Sequence, residues 1–154
     1  MMRRLAAWGA AVTVMALVGC QTPSALSDHA IQEAIRAEPP GDYFVGRRMY
    51  KKDYKVWGWV REPRKPWRTA RLVMLNEQQV LAPDRAENRI GSDNNFEYRL
   101  RGRFTGDMVY EPASDGFYPE FLLMGHELIS TNPNNIYVQK RQNDPAVRLL
   151  QAPR

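Results

Sequence analysis

The stretch Phe96-Glu-Tyr-Arg-Leu-Arg-Gly-Arg-Phe-Thr105 alternates without a break. Glu97, Arg99, Arg101 and Arg103 fall on one side, and Tyr98, Leu100, Gly102 and Phe104 on the other. A helix would scatter both sets around its surface, so period two commits this stretch to a strand with one wet and one buried face. Such a strand needs partners, and the chain offers several. Tyr43 to Tyr50 is aromatic and β-branched. After a turn at Lys51-Lys52-Asp53, Tyr54 to Arg61 reads as a second strand, with Val56, Gly58 and Val60 opposite Lys55, Trp57, Trp59 and Arg61. Trp67 to Leu75 is a third, beyond the Pro63 and Pro66 loop. Glu120 to Ile129 is the last, with Phe121, Leu123, Gly125 and Ile129 opposite Leu122, Met124, His126 and Leu128. Met108-Val109-Tyr110 is expected after a turn at Gly106-Asp107, and a loop over Pro112 to Pro119.

Helix appears only outside this run. Ser27 to Glu38 places Ile31 and Ile35 on one face with Ser27 as N-cap, and Pro39-Pro40-Gly41 stops it. Asn76 to Asn95 reads as a long loop with a helical turn near Pro83 to Asn88, and a loop of that length inside a domain is functional or hides an element. The expectation is an all-β domain that hides its edges by closing into a small closed or partly open antiparallel barrel, with a β-sandwich as the alternative. The run Val56-Trp57-Gly58-Trp59-Val60-Arg61, followed by 70–76, Tyr98 to Phe104 and Glu120 to Ile129, resembles the strand order of OB-folds. That resemblance covers about half the chain, and the helix usual between the third and fourth strands is missing from the pattern.

The N-terminus addresses a different question. Arg3-Arg4 precede an uncharged apolar run from Leu5 to Val18, and polar Gln21-Thr22-Pro23-Ser24 follow. This order matches a secretory signal and is short for a membrane-spanning helix. Leu17-Val18-Gly19-Cys20 resembles the bacterial lipoprotein cleavage box. The resemblance implies removal of residues 1–19, diacylglycerol on Cys20 and a signal helix absent from the mature protein. Two or three acyl chains would hold it at a membrane, since each buried CH₂ contributes about 0.8 kcal/mol. Gln21 stands where such lipoproteins carry Asp when kept in the inner membrane, so the analogy implies the outer membrane, facing the periplasm. Ala37 to Arg48 and Pro119 to Ile129 also resemble a group of small bacterial envelope lipoproteins to which no activity attaches. The expected organisation is a signal peptide over 1–19, a tether over 20–26, a short helix and linker over 27–41, the barrel over 42–138, and a flexible tail over 139–154.

Charge and chemistry narrow the function less. Cys20 is the single cysteine, so no disulfide within the chain is available. From Arg47 to Arg71 there are ten basic and two acidic residues, a local +8 against −5 for the rest of the mature chain. A basic zone of this kind suits anionic partners or a membrane surface. There is no Gly-x-Ser-x-Gly, the two histidines (His29 and His126) are about a hundred residues apart, and no His or Cys cluster has metal-site spacing. No metal and no cofactor is expected. The stronger pattern is one for binding. Lys55, Trp57, Trp59 and Arg61 make an aromatic and basic row, and Arg99, Arg101 and Arg103 make a second. Outside a barrel, the two rows could form a groove for flat rings and anions. The expected function is a lipid-anchored, non-enzymatic binding or scaffold module of the cell envelope that contacts glycan or another envelope protein, with nucleic acid an unsuitable partner there. The alternative is a lipid-anchored hydrolase of envelope polymers using carboxylates or His126.

Overall fold

The alternating segment forms one arm of a long hairpin. In the computed structural model, which describes residues 23–154, β4 (Glu97–Glu111) and β5 (Gly116–Ser130) pair antiparallel along almost their whole length. Before them come α1 (Pro23–Ala37), β1 (Phe44–Arg48), β2 (Gly58–Arg61), a 3₁₀ turn (Trp67–Thr69), β3 (Arg71–Asn76) and a single-turn α2 (Pro83–Ala86). The expected signal peptide, Cys20 and the start of the tether lie outside the described residues. The helix begins at Pro23, so residues assigned to the tether belong to it and Ser27 is not its cap.

The strands close into a barrel in the order β1-β2-β3-β5-β4, antiparallel throughout except for the β3–β5 pair, which is parallel. This is a small OB-like barrel, not a sandwich, from which the far part of the β4–β5 hairpin projects as a two-stranded ribbon. α2 lies between β3 and β4, where the sequence suggested a helical turn. Closure requires long strands to bend, and β4 bends at register shifts. One lies at Arg101–Gly102, where Gly102 has φ +156° and an added Cβ would lie 2.2 Å from the Leu122 carbonyl oxygen. Another lies between Phe104 and Met108, so the Gly106-Asp107 turn expected there is instead absorbed into a continuous strand. The expected loop up to Pro119 shortens to a turn over 112–115, and Pro119 enters β5 beside that shift, where a missing N–H is tolerated.

Two cores result. Inside the barrel, Val60, Val73, Tyr98, Leu100, Phe121 and Leu123 pack with Trp57 and Ala82. Phe44, Phe104 and Phe121 meet edge to face, with centroids 5.1–5.6 Å apart. A second core covers the outside of the β1-β2-β3 wall. It joins Ile31 and Ile35 of α1 to Val45, Val56, Trp59 and Leu72, and to Ile136 and Tyr137 beyond β5. Residues 139–154, expected as a flexible tail, dock against this assembly. The Arg154 amide donates to the Ile136 carbonyl at 3.0 Å and the Lys52 amide to the Pro145 carbonyl at 3.0 Å, while Gln142 is buried.

Large-to-small changes in a packed core cost the lost transfer energy plus a cavity. Phe121→Ala, at a residue with no solvent exposure, should lower unfolding free energy by about 3–5 kcal/mol in urea titrations. Phe117→Ala, at 65 % exposure on the same strand, should stay within about 0.5 kcal/mol. The reverse ranking would contradict the assigned faces of β5.

Candidate functional site

The basic window divides between interior and surface. Arg47, Arg48, Lys51 and Arg61 are buried, whereas Lys52, Lys55, Arg64, Lys65, Arg68 and Arg71 are exposed. Arg47 donates to Glu97, to Asn95 Oδ1 at 3.3 Å and to the Asn134 carbonyl at 3.0 Å. Lys51 directs Nζ at three carbonyl oxygens, those of Gln142 (2.5 Å), Asp144 (3.0 Å) and Val147 (2.8 Å). Burial pushes its ammonium pKa below the usual lysine value, partly offset by Asp144. The local +8 is therefore not a surface field of that size, because four of its cations are internal clamps.

The row Lys55, Trp57, Trp59 and Arg61 does not form one exposed face. Trp57 belongs to the barrel interior with Val60, whereas Trp59 belongs to the outer core with Val56. Residues three apart thus share a core, so the simple alternation fails across Gly58. A Cβ at Gly58 would lie 2.2 Å from the Arg47 carbonyl oxygen, and only glycine lets the two backbones come this close. Both tryptophans are at most 5 % exposed. Arg61 is buried and forms a two-pronged pair with Glu38, one arm at 2.9 Å, while its guanidinium lies 4.4 Å from the Trp67 ring centroid. Lys55 remains exposed. It lines, with Tyr50, Tyr54, Leu81 and an edge of Trp57, a groove of about 690 Å³.

The second row does lie on the surface. Arg99 is partly exposed and donates to Glu127 across the hairpin at 3.1 Å, with its guanidinium 5.0 Å from the Tyr43 ring centroid. Arg101 and Arg103 are exposed, and among the described residues neither has a carboxylate partner. Their strand carries more than charge. Met108, Tyr110, Phe117, Met124, Leu128 and Ile129 of the β4–β5 hairpin are 46–65 % exposed. Tyr110 and Phe117 pair across it with centroids 5.1 Å apart. The turn that presents them is pinned by Glu111. Its carboxylate accepts from the Ser114 amide at 2.8 Å and the Ser114 hydroxyl at 2.7 Å. Burial alone would raise the Glu111 pKa, but these bonds hold it below the usual carboxylate value. Sequence reasoning found the arginines and missed the apolar residues beside them. The sequence places Tyr110 in a short strand and Phe117 in a loop, whereas the continuous hairpin pairs them.

A third place concentrates titratable groups. His126 lines a cavity of about 300 Å³ together with Asp84, Asp93, Glu87 and Tyr98. This is where the hydrolase alternative would have to act. Both aspartates are engaged by Arg48, which reaches Asp84 Oδ2 at 3.0 Å and Asp93 Oδ1 at 3.3 Å. Asp84 Oδ2 also accepts the Gly91 amide at 2.9 Å, and Asp93 Oδ2 accepts the Tyr98 hydroxyl at 3.2 Å. The cluster thereby fastens the 76–95 segment to β1. Burial raises the Asp93 pKa, and Arg48 opposes that rise. Among the described residues no group of three or more His, Cys, Asp or Glu side chains could hold a metal ion. No helix among them is long and apolar enough to cross a membrane. In comparisons with protein-family models, curated proteins and solved structures, nothing matches this chain.

The raised Asp93 pKa has a sign in stability. The folded chain holds that proton more firmly than the unfolded chain, so the contribution is fullest below the ordinary value of 3.8. It is lost as pH rises through the folded value. In urea titrations from neutral pH down to about 4, the wild type should therefore gain stability relative to Asp93→Asn. A difference that moves the other way would contradict the burial of this carboxylate. Arg48→Met, which strands two buried acids, should cost about 3–5 kcal/mol at neutral pH.

Proposed function

We propose that this protein is a lipid-anchored, non-enzymatic binding module of the bacterial cell envelope, and that it takes its partner, another envelope protein, on the outer side of the β4–β5 hairpin. The observation that carries the reading is the exposed Tyr110–Phe117 pair, with Met108 beside it, on the same two-stranded ribbon as Arg101 and Arg103, which have no carboxylate partner among the described residues. Clustered apolar exposure on a sheet is characteristic of an interaction surface, and arginines without a carboxylate partner among the described residues favour a partner with an acidic rim. The anchor rests on the sequence Leu17 to Cys20 and the basic and apolar residues before it. The outer membrane is the location favoured by Gln21.

The hydrolase reading draws support from the cavity that His126 shares with Asp84 and Asp93. Against it stands Arg48, which already engages both carboxylates. The binding reading therefore takes precedence.

Two experiments test the proposal. In cells fed a labelled fatty acid, wild-type protein should be labelled and Cys20→Ala should not. Labelling that persists in the variant would refute the anchor. For the surface, wild-type protein bearing an affinity tag should capture a defined partner from solubilised envelopes. Arg101→Glu with Phe117→Ser should reduce that capture by about tenfold or more, since each lost hot-spot contact is worth 1 kcal/mol or more. Undiminished capture by a folded variant would place the binding surface elsewhere.

A further inference from the structure

The groove that holds Lys55 is built from parts of the chain that the hairpin reading does not use. One bank is the segment after β1, which supplies Lys52 and Lys55, and the other is the 76–95 segment, which supplies Leu81 and Ile90. The end of β3 adds half-buried Met74 and Leu75 to the lining. Both banks are fixed by hydrogen bonds. The Lys52 amide donates to the Pro145 carbonyl at 3.0 Å and the Lys55 amide to the Glu111 carboxylate at 3.4 Å. Across the groove, Asp84 Oδ2 accepts from Arg48 at 3.0 Å and from the Gly91 amide at 2.9 Å. An occupant therefore meets a preformed site and has little chain to order. The volume of about 690 Å³ lies well inside the range of about 300–1,000 Å³ for ligand pockets.

The lining sets the chemistry of that occupant. Lys52 and Lys55 are exposed, and among the described residues neither ammonium group is ion-paired. The carboxylates of the lining are already committed. Glu77 holds Arg85 at 3.0 Å and accepts the Ala82 amide at 3.0 Å, and Asp84 is buried against Arg48. A cation would meet two ammonium groups without a carboxylate to spare, whereas an anion would meet both ammonium groups. Charge alone does not complete the match. Leu81 and Ile90 are 45 % and 58 % exposed. A small inorganic anion would leave that apolar surface in water, and an apolar chain would cover it. Tyr50 and Tyr54 are taken up by Arg48 and Arg148, with guanidinium-to-ring distances of 5.5 and 5.3 Å, so the open apolar wall is chiefly aliphatic. We infer that this groove binds an anionic amphiphile, its carboxylate or phosphate head between Lys52 and Lys55 and its alkyl chain along Leu75, Leu81 and Ile90. A free fatty acid and an anionic phospholipid both present this chemistry. The inference rests on the groove alone and depends on neither the hairpin surface nor the anchor.

The test uses the intact chain in phosphatidylcholine nanodiscs, with calorimetric titrations set against identical discs without protein. The anionic probes are decanoate and the soluble short-chain lipid dihexanoylphosphatidylglycerol. At least one should bind saturably with a Kd of about 1 mM or tighter. Decyltrimethylammonium (the same chain with a cationic head), acetate (the same head without the chain) and dihexanoylphosphatidylcholine should each bind about tenfold or more weaker. Lys52→Glu with Lys55→Glu and, independently, Leu81→Asp with Ile90→Asp change exposed side chains of the lining and spare the buried clamps. Each pair should weaken binding by about tenfold or more. Lys65→Glu, at an exposed lysine outside the groove, should leave the affinity within about twofold. Binding of decanoate alone would support the inference and identify a free acid as the source, and binding of the phosphatidylglycerol alone would support it and identify a lipid. Absence of saturable binding by both anionic probes would overturn it. Equal or tighter binding of a control, or binding that both pairs of substitutions leave intact, would also overturn it. So would an equal loss in Lys65→Glu, which would reduce the effect to net charge.

Discussion

Three cations in five residues, Arg47, Arg48 and Lys51, are withdrawn from water, and the rest of the molecule is arranged to receive them. Each would be prohibitively costly to bury alone. Arg47 is met by Glu97 and by the Asn134 carbonyl, which ties β1 to β4 and to the chain beyond β5. Arg48 is met by Asp84 and Asp93, which fixes the long 76–95 segment, and by the Trp57 carbonyl. Lys51 has three carbonyl oxygens from the C-terminal segment in place of a contacting carboxylate. The 76–95 segment, the chain just beyond β5 and the C-terminal segment are thus each fastened by a cation from that one strand or its exit. The chain has a single cysteine, so no internal disulfide can share this work.

This arrangement decides which surfaces remain free. The outer face of β1-β2-β3, where OB-like barrels commonly hold their ligands, is covered by α1 and by Ile136 and Tyr137. What is left of that face is a small cavity beside the Arg47 and Arg61 ion pairs. The β4–β5 hairpin, by contrast, carries no such cover over its exposed apolar residues. The closed barrel thereby leaves the β4–β5 hairpin as the face on which the proposed binding function rests.

The barrel was legible because its strands are half-buried, and period two records that directly at Glu97 to Phe104. The strand order came only from the resemblance of the Val56 to Arg61 run and the strands after it to OB-folds, and the expectation of an antiparallel barrel did not include the parallel β3–β5 pair. The aromatic row was misread for a local reason. The backbone at Gly58 breaks parity, sending Trp57 inward and Trp59 into the outer core, so their spacing of two no longer means one face. The basic window was misread for a global one, because composition does not reveal which charges meet a partner inside. The acids that receive them, Asp84, Asp93 and Glu97, lie some 36 to 50 residues away. Gly106 and Pro119 looked like strand breakers, yet they sit opposite or beside a register shift in a long ribbon, where the ladder can spare them. That lengthening of the hairpin is what brought Tyr110 and Phe117 together.

The central claim is that the barrel, α1 and the C-terminal segment make one cooperative unit through the buried cations. Native-state amide hydrogen exchange on the intact chain tests it most directly. The amides of Lys52 and Arg154, bonded to Pro145 and Ile136, should be protected comparably with the barrel amide of Trp57, bonded to Val73. Exchange of Lys52 and Arg154 at the rate of an unstructured chain, with Trp57 still protected, would show that the C-terminal segment is not part of that unit and would contradict the account.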